Sequence, residues 1–78
     1  MFPFFIDNDV ILSGFNRKRT SMVDKTVYGL KNNNEIIKSH IAHISEDLKE
    51  EGYQPKAAKG YIKGNLVICE ITYMAVVQ

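Results

Sequence analysis

The sequence predicts an α+β fold, in which a small antiparallel sheet of about four to five strands carries one amphipathic helix on one face. Two observations lead to this prediction. One stretch near the middle repeats its apolar residues with helical spacing, and apolar runs bounded by turn-forming residues lie on both sides of it. We expect the element order β-β-β-α-β-β, in a single compact domain that spans residues 1–78.

The N-terminal segment predicts a β-hairpin. Phe2–Ile6 and Val10–Phe15 are apolar runs, and residues 7–9 between them are Asp-Asn-Asp, which favour turns because their side chains bond nearby backbone groups. Pro3 has no amide proton for a sheet ladder, so we expect the first run at a sheet edge or in a loose arm.

The next two segments have opposite character. Asn16–Lys25 is polar and basic, which predicts an exposed loop or the rim of a strand. Thr26–Leu30 is a short β-favouring run, and Gly29 near its end predicts a bulge or a strand end.

The sequence contains signals for the start and the end of a helix, and an apolar stripe between them. Asn32 followed by Glu35 resembles a capping box, Gly52 supplies a residue that commonly closes a helix, and Pro55 blocks continuation. These signals predict a helix over about residues 33–51. Its apolar stripe, about 60° wide at 100° per residue, consists of Ile37, Ile41, Ile44 and Leu48.

A second hairpin is expected after the helix, with Lys56–Ile62 and Leu66–Val77 as arms and Lys63-Gly64-Asn65 as the turn. The second arm would extend about 40 Å. A spherical domain of this length would have a diameter of only about 30 Å. We therefore expect the last strand to bend, end early or project.

The last strand is apolar at nearly every position, which is typical of a strand covered on both faces. One set of alternating side chains suits packing under the helix: Val67, Cys69, Ile71, Tyr73, Ala75 and Val77. The other set has no evident cover within the chain, and it consists of Leu66, Ile68, Met74 and Val76, interrupted by Glu70 and Thr72. An uncovered apolar face of this kind indicates a protein interface.

The composition of the chain argues against several classes of protein. The chain has 10 Lys and Arg against 9 Asp and Glu, and this balance argues against a dedicated nucleic-acid binder. Cys69 is the only cysteine, so it forms no internal disulfide, and we expect it to be a small buried apolar residue. The opening apolar run is too short for a signal peptide, and no stretch approaches the roughly 20 apolar residues of a membrane span. We expect a cytoplasmic protein.

Two polar clusters suggest alternative functions. Arg17, Lys18 and Arg19 could contact an anion such as a nucleic-acid phosphate, with Tyr28 and Tyr61 as stacking faces. On the helix, His40, His43 and Asp47 share one face beside the apolar stripe. We interpret them as polar boundary residues, with a metal site as the alternative.

The C-terminal end of the helix is unusually acidic. Glu46, Asp47, Glu50 and Glu51 crowd an end where the helix dipole favours cations. They form either a solvated face relieved by nearby lysines or a docking patch for a basic partner surface.

No residue pattern indicates catalysis, a cofactor or a bound metal. We therefore expect a small non-catalytic protein-interaction domain that is homodimeric through its C-terminal strand, with contact to another protein as a further option. The alternative is a nucleic-acid-binding module that uses the sheet and the Arg17–Arg19 segment. Small size would also fit an accessory protein of a phage or mobile element.

Overall fold

The computed structural model describes residues 6–75, which fold as a four-stranded antiparallel sheet with one helix. The elements are β1 (Ile6–Ser13), β2 (Asn16–Asp24), a 3₁₀ turn (Lys25–Tyr28), α1 (Asn33–Glu50), β3 (Tyr53–Lys63) and β4 (Leu66–Ala75). The predicted α+β class is confirmed. The order is β-β-α-β-β, so the expectation of a third strand before the helix is wrong.

The strands lie in the order β1-β2-β4-β3, which makes β1 and β3 the edges and β2 and β4 the interior strands. The helix packs across β3 and β4. We call this face of the sheet the helix side and the opposite one the open face. Odd-numbered residues of β2 and β4 point to the helix side, and even-numbered ones point to the open face.

The first predicted turn is wrong. Residues 7–9 are part of the straight β1 ladder, opposite residues 19–21 of β2, and the chain reverses instead at Gly14 and Phe15, where Gly14 has φ 56°. Pairing with β2 and an ion pair from Asp9 to Arg19 outweigh the local turn preference of these residues. Most of the predicted first arm lies outside the described residues.

Two further local predictions are wrong. Asn16–Lys25 was expected to be a loop or rim, but most of it forms β2, an interior strand paired on both edges. The expected strand Thr26–Leu30 is largely the 3₁₀ turn. Asp24 starts this turn, because its carboxylate accepts bonds from the Thr26 amide at 2.9 Å and from the Thr26 hydroxyl at 2.8 Å.

The helix prediction is confirmed. The Asn32 side-chain oxygen accepts a bond from the Glu35 amide at 3.0 Å, and the Asn32 amide group donates to the Glu35 carboxylate at 3.2 Å. The helix ends at Glu50, and Gly52 follows with φ 90°. Pro55 does not lie in a linker, because β3 includes it at a register shift on the sheet edge, where a missing amide proton is tolerated.

The buried stripe of the helix is turned slightly from the predicted one. Ile44 and Leu48 are fully buried, as expected. Ile37 and Ile41 are only half-buried, and the fully covered positions in the first half are Ile36 and His40. The spacing of apolar residues predicts a stripe without a histidine. His40 can nevertheless be buried there, because the fold provides hydrogen-bond partners for its ring nitrogens.

The C-terminal hairpin is confirmed, with Gly64 (φ 61°) in its turn. The predicted helix-side set of β4 is buried as far as it is described: Val67, Cys69, Ile71 and Tyr73 are at most 1% exposed, and Ala75 is half-buried. The molecule measures 41 × 22 × 17 Å, so it is elongated rather than spherical. A strand the length of β4, about 33 Å, fits within the long dimension, and the expected excess length does not arise.

Candidate protein-interaction surface

The largest group of exposed apolar side chains lies on the first strand and the turn that follows it. Every residue of β1 is exposed. Ile11 is 67% exposed, Leu12 50% and Phe15 57%. We define the β1 surface as Ile6, Val10, Ile11, Leu12 and Phe15. Such a concentration of apolar side chains on one edge is typical of an interaction site.

The two edges of the sheet differ in how they are protected. Edge strands commonly avoid pairing with other chains by means of charges, prolines and bulges. The β3 edge has all three, with Pro55, a register shift beside it, and Lys56, Lys59 and Lys63. The β1 edge has a register shift between Ile11 and Ser13 and two aspartates, of which Asp9 is bound to Arg19. It contains no lysine, arginine or proline.

Sequence reasoning missed the β1 surface, although a signal was present. Val10, Ile11 and Leu12 are apolar at consecutive positions, so any strand that contains them must expose apolar groups on both faces or cover both.

A row of apolar side chains crosses the open face through all four strands. Ile6, Met22, Ile68 and Tyr61 are successive cross-strand neighbours in this row. The two ends are exposed, with Ile6 at 61% and Tyr61 at 45%, while Ile68 in the interior is only 6% exposed. Ile68 is therefore largely shielded within the sheet without any helix above it.

The predicted interface residues of β4 lie on this open face as far as they are described. Leu66 is 37% exposed and Met74 is half-buried, while Val76 lies outside the described residues. Both edges of β4 are hydrogen-bonded within the chain, to β2 and to β3. The strand can therefore reach a partner only through its open-face side chains.

Charged groups occupy the middle of the open face. Lys18 lies 3.3 Å and Lys59 lies 3.6 Å from the Glu70 carboxylate. The bond from Lys18 is the main reason that the pKa of Glu70 lies below its usual value. A shallow depression of about 240 Å³ beside them is lined by Lys18, Ala57, Ala58, Lys59, Glu70 and Thr72. The central carboxylate of this region is therefore paired with two lysines.

Arg19 joins three elements on the helix side. Its guanidinium bonds the Asp9 carboxylate of β1 at 2.6 Å and the Glu51 carboxylate at the helix end at 2.8 Å. These bonds hold the pKa values of Asp9 and Glu51 below their usual range. The guanidinium also lies 5.8 Å from the centre of the Tyr73 ring. Arg19 is 7% exposed and acts as a structural clamp.

The three predicted anion-contacting residues do not converge. Arg17 points to the helix side, where its guanidinium lies over the Tyr53 ring, and Arg19 is held by its two carboxylates. Lys18 points to the open face and pairs with Glu70. The nucleic-acid alternative stays a prediction, and this arrangement lends it no support.

His40 is fully buried, so its interpretation as a polar boundary residue is wrong. Its Nε2–H donates to the Ser21 carbonyl at 3.2 Å, and its Nδ1 accepts from the Tyr28 hydroxyl at 2.7 Å. The carbonyl can only accept, which assigns the proton to Nε2 in the neutral ring. Burial lowers the pKa of His40 and raises the pKa of Tyr28 to about 12. The histidine thus ties the helix to β2 and to the 3₁₀ turn.

Of the other two members of this cluster, His43 is exposed and Asp47 is half-buried. His43 Nε2 lies 3.6 Å from an Asp47 carboxylate oxygen. Within residues 6–75, no group of three His, Cys, Asp or Glu side chains is arranged to hold a metal ion.

The acidic docking patch is only partly free for contact. Glu51 is bound to Arg19, and the Lys49 amine lies 3.9 Å from Glu46. Glu46 and Glu50 are exposed at the helix end. A docking role for Glu46, Asp47, Glu50 and Glu51 stays a prediction.

Cys69 is fully buried, as expected, and burial raises its thiol pKa to about 11. The thiol therefore stays protonated and inaccessible in the folded chain. In the part of the chain that the structure describes, no helix has both the length and the apolar character that a membrane crossing requires.

Comparison of this chain with protein-family models, with curated proteins and with solved structures finds no match.

Proposed function

We propose that this chain is a small non-catalytic protein-interaction domain that works as a homodimer. The observation that carries the proposal is the β1 surface, where five large apolar side chains are exposed on one edge strand and its turn. Moving apolar area out of water contributes roughly 25 cal/mol per Å². Side chains of this size are therefore the natural source of binding free energy.

A second copy is the partner that the charges favour. The formal net charge is only +1, so two copies have little long-range repulsion to overcome. A two-fold contact also requires a patch that matches itself. The β1 surface meets this requirement, because exposed apolar groups would pack against the same groups of the partner.

The sequence predicts that the C-terminal strand forms the dimer contact. In this proposal the β1 surface forms it instead. As an interior strand, β4 offers Leu66, Ile68 and Met74 only through the open face. Ile68 is only 6% exposed, so in the proposed dimer Leu66 and Met74 are the side chains of β4 that are available to contact another protein.

Sedimentation equilibrium tests the proposal. At tens of micromolar, we expect the native chain to sediment at twice its monomer mass of 8.9 kDa. Ile11→Lys should weaken self-association by about tenfold or more, since it places a charge where apolar side chains pack.

The control is Leu30→Lys, which makes the same kind of change at a more exposed apolar residue outside the β1 surface. This variant should dimerise like the native chain. A native chain that remains monomeric at these concentrations would rule out the homodimer.

A further inference from the structure

We infer that the dimer forms by antiparallel pairing of β1 with β1 of a second copy, about a two-fold axis at Val10, which joins the two sheets into one of eight strands. This inference rests on the proposed homodimer and specifies its interface. It assigns the outer backbone edge of β1 as the binding site and the same strand of another copy as the ligand.

The backbone provides the first part of the argument. As the outermost strand in the order β1-β2-β4-β3, β1 has no strand neighbour on its outer side among residues 6–75. The amide and carbonyl groups of such an edge are a ready template for another strand. The β3 edge is protected by its proline and lysines, so β1 is the edge open to pairing.

The clamp at Arg19 fixes the position of β1, the strand that forms this edge. Asp9 is the second of the two acidic residues of β1, and its two carboxylate oxygens bond the guanidinium at 2.6 and 2.8 Å. These bonds hold β1 against β2 and neutralise a charge that would oppose a partner strand. The strand is therefore presented in an extended conformation before any partner arrives.

The side-chain pattern selects the register. A two-fold axis perpendicular to the sheet pairs residues of one face, so the axis must pass through a residue. An axis at Asn8 would set Asp7 opposite Asp9, and an axis at Asp9 would set the two Asp9 side chains against each other. Like charges directly opposite are destabilising. An axis at Val10 aligns residues 7–13 of both copies and avoids both conflicts. An axis at Ile11 would avoid them too, but it would align only residues 9–13 and would place the register shift between Ile11 and Ser13 next to the axis.

In the Val10 register, Asp9 lies opposite the uncharged Ile11 of the other copy. The nearest like charge is the other Asp9, on the diagonal at about 7–8 Å. Both of these carboxylates are neutralised by Arg19 of their own chain. The register shift between Ile11 and Ser13 falls at the two ends of the overlap and leaves its centre regular.

Cysteine cross-linking tests the register. Opposite residues of an antiparallel pair have Cα atoms about 4.5–5.5 Å apart, which lies within disulfide range. Val10→Cys should therefore give a covalent dimer under mild oxidation, seen on a non-reducing gel. Val10 is 44% exposed and its change should be tolerated in the fold, while native Cys69 is fully buried and should not react.

The matched control is Asn8→Cys, on the same strand and the same face. In the inferred register its copies lie about 13 Å apart along the strand, beyond disulfide reach. We expect Val10→Cys to cross-link at least about tenfold faster than Asn8→Cys, as this geometry requires. Circular dichroism establishes that both variants are folded.

The outcomes separate the inference from the proposed function. If the native chain sediments as a dimer but Val10→Cys cross-links no faster than Asn8→Cys, pairing at Val10 is wrong and the homodimer stands. If the native chain is monomeric and neither variant cross-links, both are wrong. A dimer together with selective cross-linking at position 10 supports both.

Discussion

Single residues in this protein owe their roles to partners that the sequence does not reveal. His40 shows this most clearly. It occupies a position in the helix row with Ile36, Ile44 and Leu48, and all four are buried. A histidine replaces an apolar residue here because Ser21 and Tyr28 satisfy both ring nitrogens.

The buried ring makes stability depend on pH. Burial lowers the pKa of His40 from the ordinary value of 6.5, so the folded state resists protonation. Its contribution is complete above pH 6.5, which is the pKa expected in the unfolded chain, and is lost progressively as the pH falls toward the lower folded value. Urea unfolding between pH 8 and 5 should show this decline.

The variants for this measurement are His40→Gln and His43→Gln. His40→Gln should remove the decline below pH 6.5, while His43→Gln changes the exposed histidine and should leave it in place. A native chain of constant stability across this range would contradict a neutral buried ring.

At the scale of elements, close contact between the helix and β3 depends on a glycine. A β-carbon at Gly60 would lie 2.7 Å from Ile37 Cγ2 and 3.3 Å from the Ile68 carbonyl oxygen. The helix can therefore approach β3 at this point only because position 60 has no side chain. This close approach is a property of two packed elements and leaves no mark on the local sequence pattern.

We expect Gly60→Ala to lower the free energy of unfolding by about 1–3 kcal/mol, the usual cost of overpacking. Loss of glycine flexibility would by itself stabilise the strand by about 0.5–1 kcal/mol, so the steric effect should dominate. Urea denaturation measures the difference.

The companion variant is Ile37→Ala, which removes the Cγ2 atom that the new methyl group would meet. In this background, Gly60→Ala should cost less than it does in the native chain, because the tightest contact is gone. The contacts that remain are with the Ile68 carbonyl oxygen at 3.3 Å and Ile41 Cδ1 at 3.4 Å. Strictly additive effects of the two substitutions would argue against a direct steric conflict.

At the scale of the whole molecule, Arg19 connects β1, β2 and the end of the helix. It lies on β2 and bonds β1 through Asp9 and the helix end through Glu51. The helix otherwise packs across β3 and β4, so this clamp is a main link between the helix end and the β1 edge. The proposed dimer depends on it, because it positions the strand that pairs.

Arg19→Met should lower the free energy of unfolding at pH 7 by about 1–3 kcal/mol, since two carboxylates lose charged hydrogen bonds. The deficit should shrink in acid. In the native chain, the lowered pKa values of Asp9 and Glu51 give stability that is present above about pH 4.5 and lost as the pH falls. The variant has no such stability to lose.

Urea unfolding at pH 7 and pH 3 measures both effects. Lys18→Met serves as the control, because it removes the neighbouring cation on the open face, where exposure keeps ion pairs weak. An Arg19→Met deficit that is equally large at both pH values would show that the carboxylate pairs are not its source.

The sequence by itself determined the parts of the fold that depend on neighbouring residues. The helix with its Asn32 cap, the hairpin at Gly64 and the buried alternation of β4 all follow from local spacing and turn chemistry. The proposed interaction function also rests on an excess of apolar residues that is visible in the sequence. The surface proposed for it could not be located from the sequence, since exposure depends on which strands become edges.

Tertiary structure decided the rest through long-range pairing. Residues 7–9 have turn-forming side chains, yet pairing with β2 and the Arg19 clamp make them a strand. The long apolar strand β4 is an interior strand of the sheet, and the edge strand with exposed apolar side chains is β1. The physical reason is that hydrogen bonds and contacts between distant segments outweigh local preferences of a few tenths of a kcal/mol to about 1 kcal/mol per residue.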